Sequence, residues 1–126
     1  MRSIVNTEKA PAPIGPYSQA VSWGNLLFTS GQIAIDPVSG NLIDGGVVDQ
    51  ARQVLENLKA VLEAAGTTMD SVIKTTIFLK NMDDFVRVND IYGEYFGQSL
   101  PARSTVEVSR LPKDVLVEIE CIASTE

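Results

Sequence analysis

The stretch PARSTVEVSRLPKDVLVEI, residues 101–119, contains two runs with the two-residue periodicity of β-strands, separated by a proline-containing turn. The first run alternates two valines with three polar residues: Val106 and Val108 against Arg103, Thr105 and Glu107. The second run places four apolar residues on one face: Val115, Val117, Ile119 and Cys121. Because side chains in a strand alternate between two faces, each run is expected to have one face directed to a core.

The simplest arrangement of these two runs is a β-hairpin. If its valines share the core face with Ile119, then Arg103 lies beside Glu118 on the other face, since a slip of one residue would exchange the faces. Thr105 and Glu120 would join them there. Leu116 and Ile122 are interleaved with these charges. Apolar side chains on a charged sheet face predict that a partner subunit covers part of it.

Two residues of this face are candidates for chemistry. The guanidinium of Arg103 offers a planar fork of donors that suits a carboxylate. Glu118 is a candidate acid or base that could hold and polarise a water molecule. On spacing alone, an ion pair across the hairpin that contributes little to stability is the more common arrangement.

Composition limits the function classes. A chain of 126 residues with 44% hydrophobic and 21% charged residues is typical of one globular domain, residues 1–126, with an ordinary core. A net charge of −6 does not favour a surface that binds phosphate groups, so nucleic acid is not an expected partner. We see no leader pattern and no apolar run near the ~18 residues of a membrane span, and therefore expect a soluble, cytoplasmic protein.

The chain has no histidine and one cysteine, Cys121. Without histidine, the usual general base near neutral pH and the common serine and cysteine triads are excluded. We expect Cys121 to be a small buried hydrophobe. Chemistry would then depend on carboxylates, hydroxyls, arginine, backbone amides and water.

The remaining periodicities predict an element order of β-β-β-α-β-α-β-β. A hairpin turns at Gly24 and Asn25, a helix runs from 48 to 65 before Gly66, and a strand covers 72–80. A second helix begins after Asn81 or Asp83 and ends at Gly97. This order indicates an α+β protein, a mixed six-stranded sheet with two helices packed on one face.

Four further residues, in three segments, are candidates for a site. Pro11, Pro13 and Pro16 impose an extended path that leads to Tyr17, which could instead close a sheet edge. Ser30 and Gly31 end a predicted strand, where glycine permits a ligand to approach the backbone or marks a bulge. Asn89 lies inside the second helix, where asparagine is either exposed or hydrogen-bonded through its amide.

Four segments of the chain resemble, in the same order, those of the Rid family of reactive intermediate deaminases, the RidA type. They are APAPIGPYSQAV, TSGQIAIDP, KTTIFLKNMDDFVRVNDIY and PARSTVEVSRLPKDVLVEIE. The resemblance covers nearly the whole chain. It implies a chorismate mutase-like fold and a homotrimer with sites at the subunit interfaces.

The resemblance also implies an activity: hydrolysis of 2-iminobutanoate, 2-iminopropanoate and related enamines to 2-oxo acids and ammonium. Arg103 would hold the substrate carboxylate, and Glu118 would position or deprotonate the attacking water. The rest of the substrate-binding site would comprise Tyr17, Ser30, Gly31, Asn89 and Thr105. No metal or organic cofactor is implied.

One position departs from the family pattern, because many RidA-type proteins carry cysteine where this chain has Thr105. Hydrolysis by water needs no covalent intermediate, so the assignment does not depend on that thiol. Two alternatives to a deaminase remain open. One is a non-catalytic module that binds a small 2-oxo acid or a related metabolite through Arg103. The other, which the acidic balance disfavours, is an endoribonuclease or translation inhibitor.

Overall fold

The structure, a computed structural model, describes residues 1–126. Six strands form one sheet: β1 Arg2–Val5, β2 Ala20–Trp23, β3 Leu26–Thr29, β4 Val72–Leu79, β5 Ala102–Glu107 and β6 Val117–Ser124. Two helices follow β3 and β4, namely α1 Val47–Ala64 and α2 Phe85–Phe96. The strand order is β1-β2-β3-β6-β4-β5, antiparallel except for the parallel pair β4 and β5. The predicted α+β fold, with two helices on one face of a mixed sheet, is confirmed.

Helix α1 covers the centre of the sheet. Its apolar residues recur at helical spacing and are fully buried: Ala51, Val54, Leu55, Leu58, Val61 and Leu62. The helix ends where Gly66 adopts a φ of +81°, a left-handed conformation that glycine takes without strain. Opposite the helix, strand β6 buries alternate residues from Val117 to Ala123. The core therefore lies between the two helices and one face of the sheet.

The predicted hairpin of residues 103–122 is wrong, because β4 lies between β5 and β6. Ile77 of β4 pairs with both Thr105 and Ile119, so these three residues share the face that the helices cover. Arg103, two residues from Thr105, lies on that face as well. Alternation shows which residues share a face within one strand, but it does not show which strands pair. Here β4 lies between β5 and β6 and forms hydrogen bonds with both.

The opposite face of the sheet carries no helix, and we call it the open face. Val106, which was expected in the core, lies on it and is 41% exposed. Other large apolar side chains of the open face are also exposed: Ile4, Trp23, Leu26 and Phe28. Exposed apolar side chains grouped on one face are typical of a protein interface.

Neither helix has the length and apolar character needed to cross a membrane.

Candidate active site

A cleft of about 360 Å³ opens where the chain leaves β3. Its lining combines apolar walls with a carboxylate: Ile14, Tyr17, Ser30, Gly31, Ile33, Pro112 and Glu118. Glu118 projects from β6 onto the open face, while the flanking Val117 and Ile119 are buried in the core. Four of the predicted site residues, Tyr17, Ser30, Gly31 and Glu118, are thus brought together.

The backbone at Gly31 lies directly against the side chain of Glu118. A methyl group on Gly31 would overlap Glu118 Oε2, so any larger residue at this position would displace the carboxylate. The next residue returns to the sheet, since the Gln32 amide donates to the Ile119 carbonyl at 2.9 Å and the Ile119 amide donates to the Gln32 carbonyl at 3.2 Å. These two bonds hold Gly31 beside Glu118, and the glycine is required for this close approach.

Burial raises the pKa of Glu118, and the negative charge of nearby Glu120 raises it further. No hydrogen bond or basic side chain within the chain offsets these two effects. The carboxyl group therefore keeps its proton to a higher pH than an ordinary glutamate. A carboxylate of raised pKa is a better proton acceptor near neutral pH, as a general base requires.

The other walls of the cleft are held by local hydrogen bonds. Tyr17 is 49% exposed, and its hydroxyl accepts a hydrogen bond from the Ile14 amide at 3.3 Å. The Ser30 hydroxyl donates to the Ser18 carbonyl at 2.6 Å. The bond to the Ser18 carbonyl uses the only proton of the Ser30 hydroxyl but leaves a lone pair free. Ser30 can therefore accept a hydrogen bond from a ligand but cannot donate one.

A second group of predicted residues lies on the face that the helices cover. The Nη1 atom of Arg103 donates to Asn89 Oδ1 at 2.7 Å, so the asparagine amide is engaged in a hydrogen bond. The guanidinium carbon lies 4.9 Å from the centre of the Tyr92 ring and 5.4 Å from that of Phe85. Such distances allow cation–π attraction. We call these four residues the arginine patch.

Thr105 lies next to the arginine patch, two residues along β5 on the same face. Its Oγ1 atom is buried and has no hydrogen-bond partner. A buried hydroxyl without a partner costs free energy, and native structures contain few of them. The chain itself therefore leaves the donor and acceptor capacity of this hydroxyl unsatisfied.

The sheet separates Arg103 from Glu118. Arg103 pairs with Thr75 of β4 on the helix side, whereas Glu118 pairs with Phe78 on the open face. Three residues along a strand span roughly 10 Å, in addition to the thickness of the sheet. The expectation that the two side chains sit together is wrong within one chain, and so is the cross-strand ion pair. One chain cannot direct both groups at one small ligand.

Several residues of these two groups were not predicted. Ile14, Ile33 and Pro112 line the cleft, and Phe85 and Tyr92 lie against Arg103. Pro112 could have been predicted from the sequence, since it lies in the turn before the strand that carries Glu118. Ile14 and Ile33 could not, because an apolar residue in a loop is usually assigned to the core.

Fold and site together define a class: a small α+β protein with a carboxylate-bearing cleft on one face of its sheet and an arginine at the edge strand. The family model described as endoribonuclease L-PSP matches residues 7–125. The chain belongs to this family.

Two relatives span almost the whole chain. A RutC family protein of Pyrococcus horikoshii is 60% identical over 126 residues, which is 100% of both chains. A mouse protein is 51% identical over 123 residues, 98% of this chain and 91% of the relative. The mouse protein is named 2-iminobutanoate/2-iminopropanoate deaminase.

Two solved structures share the fold. YyfA of Yersinia pestis, a protein of the Rid family, superposes with a TM-score of 0.95 and 53% identity, covering 98% of this chain and 99% of that one. Escherichia coli TdcF with bound serine gives a TM-score of 0.93 and 45% identity, covering 98% and 99%. The resemblance to the Rid family is confirmed.

Proposed function

We propose that this protein is a cytoplasmic homotrimer, built from one domain of residues 1–126, that hydrolyses the imines 2-iminobutanoate and 2-iminopropanoate. The observation that carries the proposal is the pair Glu118 and Gly31: a partly buried carboxylate of raised pKa beside a bare backbone amide, in a cleft of small-molecule size. The name of the mouse relative supports the same reaction. The serine bound to TdcF supports a small polar ligand.

A complete site would combine the cleft of one subunit with the arginine patch of another. Arg103 and Glu118 lie on opposite faces of their own sheet, so both can reach one substrate only if they come from different chains. The exposed apolar side chains of the open face, where the cleft lies, favour such an assembly. This division explains how both residues can act in one reaction.

The reaction adds water across a C=N bond. Glu118 takes a proton from water as its oxygen attacks the protonated imine carbon, which gives a carbinolamine. The same carboxyl group then returns the proton to the nitrogen. As the C–N bond breaks, the carboxylate accepts the hydroxyl proton so that the C=O bond of the 2-oxo acid forms, and it passes this proton to the departing ammonia, which leaves as ammonium. The imine carbon is already electrophilic and water is the nucleophile, so no cofactor is needed.

The other residues position the substrate. Arg103 binds its carboxylate through two parallel hydrogen bonds, with Asn89 fixing the guanidinium. The amide of Gly31 donates to the substrate with Ser30 beside it, and Tyr17 covers the cleft. The backbone and the unpaired hydroxyl of Thr105 provide a further polar contact next to the carboxylate.

The experiment is competition for an imine generated in situ by a threonine dehydratase. Semicarbazide traps the free imine, and an active deaminase diverts it to 2-oxobutanoate and ammonium. We expect the wild-type protein to suppress semicarbazone formation and Arg103→Ala to fail. If neither protein competes with semicarbazide, the enzymatic assignment is wrong.

A non-catalytic binding module is the second candidate, because the arginine patch can bind a carboxylate without help from Glu118. Calorimetric titration with 2-oxobutanoate separates the two functions. A binding module would bind this ligand without imine turnover, and replacing Glu118 would change nothing measurable. RNA cleavage is a control assay, since the family model carries the name endoribonuclease.

A further inference from the structure

The segment before β2, residues 7–18, forms one side of the cleft, and we call it the strap. It carries two of the cleft-lining side chains, Ile14 and Tyr17. The strap adds no strand to the sheet, and its three prolines have no amide to donate. Its one internal backbone hydrogen bond runs from the Tyr17 amide to the Gly15 carbonyl at 2.9 Å. Its position must therefore be set mainly by other groups.

The side chain of Gln19 supplies most of the missing hydrogen bonds. Gln19 is 2% exposed. Its Oε1 accepts from the Thr7 amide at 2.7 Å. Its Nε2 donates to the carbonyls of Pro11 at 2.8 Å, Thr7 at 3.0 Å and Ala10 at 3.3 Å. All four contacts are to backbone groups of the strap, and no titratable side chain is among them.

The main chain of Gln19 connects the strap to the catalytic side of the cleft. The Gln19 carbonyl accepts a hydrogen bond from the Ser30 amide at 2.9 Å. Ser30 precedes Gly31, whose backbone lies against Glu118. A single residue thus links the wall that carries Tyr17 to the backbone that faces Glu118.

We infer that Gln19 is a positioning residue, whose buried amide sets Tyr17 and Ile14 at the distance from Glu118 that a bound substrate needs. The inference rests on the proposed function for its kinetic readout. The strap has few hydrogen bonds of its own, so loss of the Gln19 amide leaves one buried and two partly buried carbonyls without their partner and allows the strap to move outward.

Two substitutions test this role. Gln19→Met keeps the volume and removes every hydrogen bond of the side chain. Gln19→Glu keeps the acceptor for the Thr7 amide but donates to the strap carbonyls only while its carboxyl group is protonated. Thr67→Val is the matched control, because it removes one partly buried hydrogen bond, from Thr67 Oγ1 to the Ser124 carbonyl at 2.7 Å. Ser124 lies six residues from Glu118 along β6, roughly 20 Å away.

For Gln19→Met we expect kcat/KM for imine hydrolysis to fall roughly tenfold to a hundredfold, mostly through KM, because the displaced wall binds substrate while Glu118 is unchanged. Gln19→Glu should approach the wild-type value at acidic pH and lose activity as pH rises. Thr67→Val should keep the wild-type KM at temperatures where it is folded. A Gln19→Met protein that is folded and has the wild-type KM would overturn the inference.

Amide hydrogen exchange provides a readout that does not depend on turnover. Exchange of the Thr7 and Ile14 amides should accelerate in Gln19→Met and stay at the wild-type rate in Thr67→Val. If the protein proves not to be an enzyme, faster exchange together with weaker binding of 2-oxobutanoate still supports the positioning role. Unchanged exchange overturns it. Should Gln19→Met fail to fold, Gln19→Glu at acidic and neutral pH provides the same comparison within one protein.

Discussion

The cleft and the arginine patch differ in how firmly one chain holds them. In the cleft, Glu118 is partly buried, and the Gly31 backbone beside it is fixed by two hydrogen bonds to β6 through Gln32. In the arginine patch, Arg103 is exposed on an edge strand and is held by one hydrogen bond and two aromatic rings. One chain therefore preforms the proposed acid–base half of the site, while it holds the proposed carboxylate-binding half less firmly.

The largest effect is expected at the preformed half. Glu118→Gln keeps the shape but cannot accept a proton, so turnover should fall by about 10²- to 10⁴-fold, the usual contribution of a general base. Binding of 2-oxobutanoate, measured by calorimetry, should stay within a few-fold of wild type. Equal loss of binding and turnover would show that Glu118 contributes to binding of the ligand and does not act as a base.

At the arginine patch, Arg103→Ala should lower kcat/KM about 10- to 100-fold, since charge-assisted hydrogen bonds contribute roughly 1.5–3 kcal/mol. The loss should appear mainly in KM. Arg103→Lys is the matched control for charge, and it should recover only part of the loss because an ammonium cannot form two parallel bonds. Full activity of the lysine variant in steady-state assays would contradict a two-bond clamp.

The raised pKa of Glu118 predicts a dependence of stability on pH. The folded protein holds this proton more tightly than the unfolded chain, so the wild type should lose stability relative to Glu118→Gln as pH rises from the ordinary carboxyl pKa to the raised one. Above that window the difference should be constant, with the wild type less stable relative to the variant than it is at low pH. Thermal melts of both proteins from pH 3 to pH 8 measure it, and a difference independent of pH would contradict the burial of this carboxyl group.

The smallest effect is expected at Thr105. Thr105→Val removes the unpaired buried hydroxyl and should raise the free energy of unfolding by up to about 1 kcal/mol. Loss of a ligand contact should lower kcat/KM less than about tenfold. Denaturant titration and imine assays test both effects, with Thr105→Cys as the variant closest to the common family residue. A destabilised valine variant would mean that Oγ1 has a structural partner.

The elements of the fold were predictable because local periodicity determines them. The two-residue turn at Gly24 also determined which strands pair, since Gly24 adopts a φ of +58° and connects β2 directly to β3. Residues 108–116 between β5 and β6 impose no such constraint. Nothing in the two runs shows that β4 inserts between them, and the face assigned to Arg103 was wrong for that reason.

The same limit applies to the site. The resemblance pointed to Glu118 and Gly31, which the structure places in contact. The hydrogen bonds of Gln19 could not be predicted, because its partners are backbone carbonyls that the tertiary fold brings together. A glutamine at a buried position next to a strand is only a weak signal of such a role.

Subunit mixing tests most directly the central claim that two chains share one site. At imine concentrations well below KM, Arg103→Ala alone and Glu118→Gln alone are each expected to retain at most about a tenth of the wild-type activity. When equal amounts are dissociated and reassembled into trimers, about a quarter of the sites should pair an intact Arg103 with an intact Glu118. Recovery of about a quarter of the wild-type imine hydrolysis is therefore predicted. If the mixed trimers form and remain as inactive as the separate variants, the shared site is contradicted.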